Sequence, residues 1–198
     1  MRPEMLRAVL LCALALSMAA CSTQPRQQPL DSQWEAHRQE LAALTRWGFQ
    51  GKVAIRGDNF SESARLRWTQ RDEESTLVLS GPMGWKQLTL ITDGSSLLLQ
   101  RDGEWQSLSG SAELETLVGW ELPTEYLPWW VKGLPAPHSN SRRLVLDHGR
   151  LQQMEQDGWQ LHYDSYQQVG ERILPERIRF ARGPVSGKII LREWTDVP

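Results

Sequence analysis

Cysteine is nearly absent from the chain: two in 198 residues, Cys12 and Cys21, both close to the N-terminus. With none beyond position 21, the body of the chain can hold no internal disulfide, no cysteine-rich zinc site and no cysteine nucleophile. Tyrosine and phenylalanine are scarce too, three of each against ten tryptophans. Neither sign of charge dominates, with 22 Lys and Arg against 24 Asp and Glu, and a formal charge of −2 gives no reason to expect nucleic acid as a partner. No apolar run approaches the roughly 20 residues that span a bilayer. Motifs of catalysis are missing as well. The four histidines show no i, i+4 pair and no HExxH, and there is no GxSxG elbow, no GxxxxGK[ST] loop and no GxGxxG. What remains is 40% apolar and 23% charged, enough for a packed core and too little net charge for a disordered chain.

The N-terminus reads as an address. Arg2 and Arg7 precede a short apolar run at residues 8–16, and Ser17, Met18, Ala19 and Ala20 lead into Cys21. Positive charge, a short apolar stretch and small residues before a cut site describe a secretory leader. The small pair before Cys21 resembles the bacterial lipobox, in which the cysteine is acylated and becomes the new N-terminus. Met18 stands where that motif more usually has Leu. An ordinary leader with an incidental cysteine is the alternative. The expected division is a leader at 1–20, acylated Cys21 with a flexible polar tether at 21–30, and one domain at 31–198. Ser22 rather than Asp after the cysteine resembles lipoproteins released to the outer membrane.

Within the domain, Ser32 and Glu35 are spaced as a capping box. Trp34, His37 or Arg38, Leu41 and Leu44 follow at helical spacing, with Gly48 as the stop. From Phe49 the period changes to two, and alternating segments recur at 49–56, 64–69, 76–80, 85–92, 96–101 and 104–108. Asp93-Gly94 and Asp102-Gly103 read as two-residue hairpin turns. Gly110 ends this meander. Leu114, Leu117 and Val118, then Tyr126, Leu127, Trp130 and Val131, mark a helical insert at about 111–134, with Pro128 early enough in its helix to be tolerated. Strand patterns resume at 142–147, 150–156, 158–166, 175–181 and 187–194, with Asp157-Gly158 as another turn. About eleven short strands do not stay flat, so the fold class is mainly β: an incomplete antiparallel barrel with an N-terminal helix and a helical lid.

Apolar residues stand in unusual places. Gly81, Pro82, Met83, Gly84 and Trp85 form a turn between strands, and turns lie at the surface. Met83 at its tip is either exposed as a partner or membrane contact, or folded back onto the sheet. Trp129 and Trp130 are adjacent on a helix and must face different ways. Alternation points Leu66, Trp68, Leu77, Leu79, Leu88, Leu90, Leu99, Ile178 and Phe180 to one face, with Trp130 of the insert over them. They are either ordinary core or the wall of a cavity.

A lipobox, a strand followed by Pro82-Met83-Gly84, the run from Leu122-Pro123 to Trp130-Val131-Lys132-Gly133-Leu134-Pro135, Gly158-Trp159 with Tyr163 and Tyr166, and Leu174-Pro175 with Arg177-Ile178 together resemble the LolB family. The resemblance covers essentially the whole chain after Cys21. It implies a half-open barrel around an apolar acyl-chain cavity formed by the ten residues above. It also implies a membrane-inserting loop at Gly81 to Trp85, with Met83 where the family often has Leu. The implied function is receipt of acylated lipoproteins from the periplasmic carrier LolA and their insertion into the outer membrane. Lipidation at Cys21 would hold the protein on the periplasmic face. Phospholipid is an expected partner and a monomer the expected state, with no enzyme activity, cofactor or metal. An outer-membrane lipoprotein that binds a glycan or a small apolar ligand is the alternative.

Overall fold

Hydrophobic alternation resolves into eleven strands in a computed structural model that describes residues 32–81, 87–137 and 139–195. They are β1 (Arg46–Arg56), β2 (Ser61–Arg71), β3 (Glu74–Ser80), β4 (Leu88–Thr92), β5 (Leu97–Arg101), β6 (Glu104–Leu108), β7 (Ser141–Asp147), β8 (Arg150–Gln156), β9 (Trp159–Val169), β10 (Arg172–Arg182) and β11 (Val185–Thr195). All pair antiparallel in one sheet of order β6-β5-β4-β3-β2-β1-β11-β10-β9-β8-β7. The fold is therefore two meanders joined where the first strand meets the last. The edge strands β6 and β7 do not pair with each other, so the sheet stays open, as the pattern of short strands predicts. The chain between those two edges carries α2 (Ser111–Val118) and α3 (Leu127–Trp130), while α1 (Ser32–Ala42) precedes β1.

Two glycines let the central strands come close. A Cβ on Gly51 would lie 2.2 Å from the carbonyl oxygen of Ile190, and one on Gly187 would lie 2.5 Å from that of Ala54. Only a residue without a side chain fits where backbones approach so closely, and such positions let a sheet bend. Tight turns finish the strands: Asp102-Gly103 and Asp157-Gly158 both have positive φ at the two central residues, the type I′ geometry that matches strand twist.

Three local expectations need correction. Gly48 does not end a helix: α1 stops at Ala42, and Gly48 lies in β1 opposite Thr69. The glycine signal was misassigned because small residues serve close strand contact as well as helix ends. Glu35 engages Arg38 and Gln39 one turn on, so the capping box does not form. Asp93-Gly94 belongs to a four-residue loop, because Thr92 pairs with Leu97. There the Asp93 carboxylate accepts from the backbone N–H groups of Ser95 and Ser96, an Asx-type arrangement that lengthens the connection. Those hydrogen bonds hold its carboxyl below the usual range.

The core lies on the concave face. Trp47 and Phe49 stack with ring centres 6.0 Å apart, and Trp68 and Trp194 tilt against them at 5.0–6.1 Å. Trp34 and Leu41 of α1 are buried in the same core. The close approach at Gly51 predicts that Gly51→Ala forces β1 and β11 apart and lowers stability by about 1–3 kcal/mol, the usual penalty for overpacking. Urea unfolding measures it, and an unchanged midpoint would show that the strands can separate freely.

Candidate functional site

Between the concave face and the insert lies a hollow of about 490 Å³, within the roughly 300–1,000 Å³ typical of ligand pockets. The sheet contributes Val53 and Ile55 of β1, Leu66 and Trp68 of β2, Leu77 and Leu79 of β3, and Leu88 of β4. Its other half contributes Trp159, Leu161, Ile178, Phe180 and Ile189. The insert roofs the hollow with Leu114, Leu117 and Val118 of α2, then Trp120, Leu122, Pro123, Leu127, Trp130 and Val131. The charged or hydroxyl-bearing lining residues, Glu62, Ser63 and Arg101, stand near Gly81 at the strand ends that form one rim. The aromatic cluster around Trp68 closes the other end. Apart from the unpartnered indole N–H groups of Trp68 and Trp159, the interior is apolar, a lining that suits an apolar chain better than water.

Seven residues expected from alternation line this hollow, Leu66, Trp68, Leu77, Leu79, Leu88, Ile178 and Phe180, and Trp130 of the insert covers them as expected. Leu90 and Leu99 do not. They point to the same face but are packed in the closed core, each 2% exposed. Alternation reports the face and says nothing of whether another element fills the space opposite. For the same reason the insert residues other than Trp130, and Val53, Ile55, Trp159, Leu161 and Ile189, were missed. Helical spacing at Leu114, Leu117 and Val118 was the signal that could have found the roof. Gly81 is on the rim; Cys21, Pro82, Met83, Gly84 and Trp85 lie outside the described residues.

Buried hydrogen bonds latch the second half of the insert. The Gln156 side chain, wholly buried on β8, accepts from Trp130 Nε1 at 2.8 Å and from the Ala136 N–H at 3.0 Å. It also donates to the Ala136 carbonyl at 2.9 Å. The Tyr163 hydroxyl donates to the Trp130 carbonyl at 3.0 Å, and burial pushes its ionisation well up. Glu121 pairs with Arg182. The two adjacent tryptophans thus divide their work: Trp130 roofs the hollow, and Trp129 lies under the Lys132 ammonium, 4.7 Å from its ring centre. Among the described residues no helix is long and apolar enough to cross a membrane, and no cluster of His, Cys, Asp or Glu could hold a metal.

The sequence profile of the family described as "Outer membrane lipoprotein LolB" matches residues 45–194, the strands and insert that build this hollow. An outer-membrane lipoprotein LolB from Stutzerimonas stutzeri is 36% identical over 198 residues, covering 96% of each chain. The chain belongs to the LolB family. Two solved structures share its fold at low identity. One, of a DUF1329 family protein from Desulfovibrio piger, has a TM-score of 0.60 at 8% identity, over 85% of this chain and 94% of that one. The other, a LolA superfamily protein from Nitrosomonas europaea, has 0.54 at 12%, over 84% and 94%. The LolB family is one of outer-membrane lipoproteins and not of enzymes, and its role lies in lipoprotein localisation.

Lys132 is the costly member of the LolB-type insert. Its amine is buried, donates to the Leu44 carbonyl at 3.1 Å, and is held down to about 8 by desolvation. In the unfolded chain a lysine keeps its proton to about 10.4. Between about 8 and 10 the unfolded state therefore binds more protons, so stability rises with pH across that window. Above about 10 the raised ionisation of Tyr163 and Tyr166 acts the other way, because unfolding then releases their protons. Lys132→Met should abolish the rise between pH 8 and 10 and leave the protein no less stable at pH 7, since apolar replacement of a buried charge is often neutral or better. Urea midpoints across pH measure this; a rise that persists in the variant would assign it to another group.

Proposed function

We propose that this chain receives acylated lipoproteins from the carrier LolA, holds their acyl chains in the hollow, and releases them into the inner leaflet of the outer membrane. The observation that carries this reading is the roofed hollow, mostly apolar in its lining, whose charged and hydroxyl-bearing residues stand at its mouth. Cys21 would carry the chain's own anchor after removal of 1–20, with 21–30 as tether, and a monomer suffices.

Magnitude explains the need for such a receptor. Three acyl chains hold about 45 methylenes, and at ~0.8 kcal/mol each their exposure to water costs on the order of 36 kcal/mol. Cargo must pass from one apolar site to another and then to lipid. Without a nucleotide step, each transfer runs towards tighter acyl binding. At about 30 Å³ per water-sized group, 490 Å³ accommodates on the order of sixteen methylenes, about one chain. The remaining chains require the roof to give way. The half held by Gln156 and Tyr163 resists that, which leaves α2, bound to β6 through Glu113 and Gln106, as the part that moves.

Acyl binding in the hollow predicts that a hydrophobic dye gains fluorescence with the protein and is displaced by an acylated peptide but not by its unacylated form. Equal displacement by both peptides, or by an oligosaccharide, would favour a glycan or small-ligand receptor instead.

The segment that begins at Gly81 leaves from the cavity rim, so Met83 is proposed as the lipid contact. A surface substitution usually shifts stability by less than about 0.5 kcal/mol, whereas a carboxylate is strongly disfavoured in hydrocarbon. Met83→Glu should melt within a few degrees of the parent and accept cargo from the carrier, yet deliver it poorly to liposomes. Met83→Leu should deliver normally. Separate assays of carrier-to-receptor and receptor-to-liposome transfer decide it: normal delivery by Met83→Glu defeats the lipid-contact reading, and unfolding places Met83 in the core.

A further inference from the structure

The outer face of the sheet carries a second hollow, of about 360 Å³, where β1, β2 and β11 run side by side. Its origin is in the alternation. Val53 and Ile55 point to the cavity, so Lys52 and Ala54 point away from it. Strand register then sets Lys52 opposite Arg65, and Ala54 between Ser63 and Lys188. Small side chains at Ala54 and Ser63 leave the floor low, and Lys52, Arg65 and Lys188 rise around it. All three cations are exposed, none has an ion-pair partner among the described residues, and no carboxylate lines the hollow. Exposed Arg67, Arg177 and Arg192 extend the same face, opposite Gln50, Ile190 and Gln50 respectively. Arg179 on this face is neutralised by a two-pronged pairing with Asp164 at 2.6–3.0 Å. This gathering of free cations occurs in a chain whose formal charge is −2.

We propose that the hollow ringed by Lys52, Arg65 and Lys188 docks the phosphate headgroups of an anionic phospholipid bilayer. Three observations favour a bilayer. The chain belongs to a family of outer-membrane lipoproteins, so a phospholipid surface is its constant neighbour. The cations are exposed side chains spread over a band, which suits a plane of headgroups better than one enclosed anion. The band also lies at the mouth end of the sheet: Arg65 pairs with Ser80, the residue before Gly81 on the cavity rim. Headgroups held there orient the mouth towards lipid. The inference rests on membrane residence and surface charge, and does not require acyl binding in the hollow inside.

The test uses the mature chain with Cys21→Ala, so that no acyl anchor dominates partition, and vesicles of phosphatidylethanolamine with or without a quarter phosphatidylglycerol. Partition should rise with phosphatidylglycerol and fall as salt goes from 50 to 300 mM, as surface electrostatics are screened. Each basic residue near an anionic surface contributes roughly a fivefold gain. The triple variant Lys52→Gln, Arg65→Gln, Lys188→Gln should therefore lose on the order of a hundredfold of that partition while keeping its melting temperature and dye displacement. Should the triple variant not fold, Lys188→Glu alone should lose at least fivefold. Partition indifferent to phosphatidylglycerol, or unchanged in the folded variant, overturns the proposal. Release by inorganic phosphate at matched ionic strength would assign the hollow to a free anion. Unchanged partition with slower uptake of cargo from the carrier would assign it to an acidic protein surface. Either result also overturns the bilayer assignment.

Discussion

The pairing of β1 with β11 is the constraint on which the rest of the molecule depends. It joins strands more than a hundred residues apart, and without it the two meanders would be separate sheets, each with one bare apolar face. Gly51 and Gly187 allow the backbones to approach at this junction, where a Cβ on either would strike the neighbouring strand's carbonyl oxygen. Non-local pairing of this kind forms late and slowly, because loop closure must precede it. The hollow is consequently a property of the completed sheet and of neither half.

Because β6 and β7 remain unpaired, the sheet encloses space without sealing it, and the chain between those edges becomes the roof. Its two halves are held by different forces. The segment from Trp130 to Ala136 is pinned by a wholly buried amide, a tyrosine hydroxyl and the Lys132 ammonium, groups that are expensive to bury and more expensive to leave unpartnered. The α2 half rests on apolar contacts and on Glu113, whose carboxylate accepts from the Ser109 N–H and is held below the usual carboxylate range by it. Directional bonds fix one half, and contacts that an acyl chain can replace hold the other. Unfilled apolar volume forgoes packing contacts, a loss of stability that functional sites commonly carry.

Period two made most of the fold legible: Leu66 and Trp68, Leu77 and Leu79, and Ile178 and Phe180 all declare the concave face in sequence. The same pattern could not separate them from Leu90 and Leu99, because alternation fixes direction and not what lies opposite. The roof was legible as helix and illegible as lining, since a short amphipathic segment does not reveal which strands it will cover. Ile189 and Ile190, adjacent and both apolar, point to opposite faces, and the sequence alone does not say which faces in; register does. Ile189 enters the cavity, and Ile190 faces out beside the basic hollow. Lys52, Arg65 and Lys188 looked like ordinary wet positions because their proximity exists only after β1 has met both β2 and β11.

One strand periodicity thus gives the sheet two chemistries, back to back. Along β1, Ile55 lines the cavity and Lys52 and Ala54 line the basic hollow, while Val53 borders both. Lys52, Arg65 and Lys188 do not line the cavity, so on the reading proposed here a change of charge at these three leaves the acyl-binding wall in place. Transfer that uses no nucleotide, as proposed above, draws its direction from differences in binding free energy. On the reading proposed here, acyl affinity sets where cargo goes, and the outer cations set how the mouth is presented when it leaves. Attraction to headgroups that varies with salt is reversible, whereas transfer of dozens of methylenes into lipid is not. The weaker interaction can therefore be made and broken repeatedly while the stronger one determines the outcome.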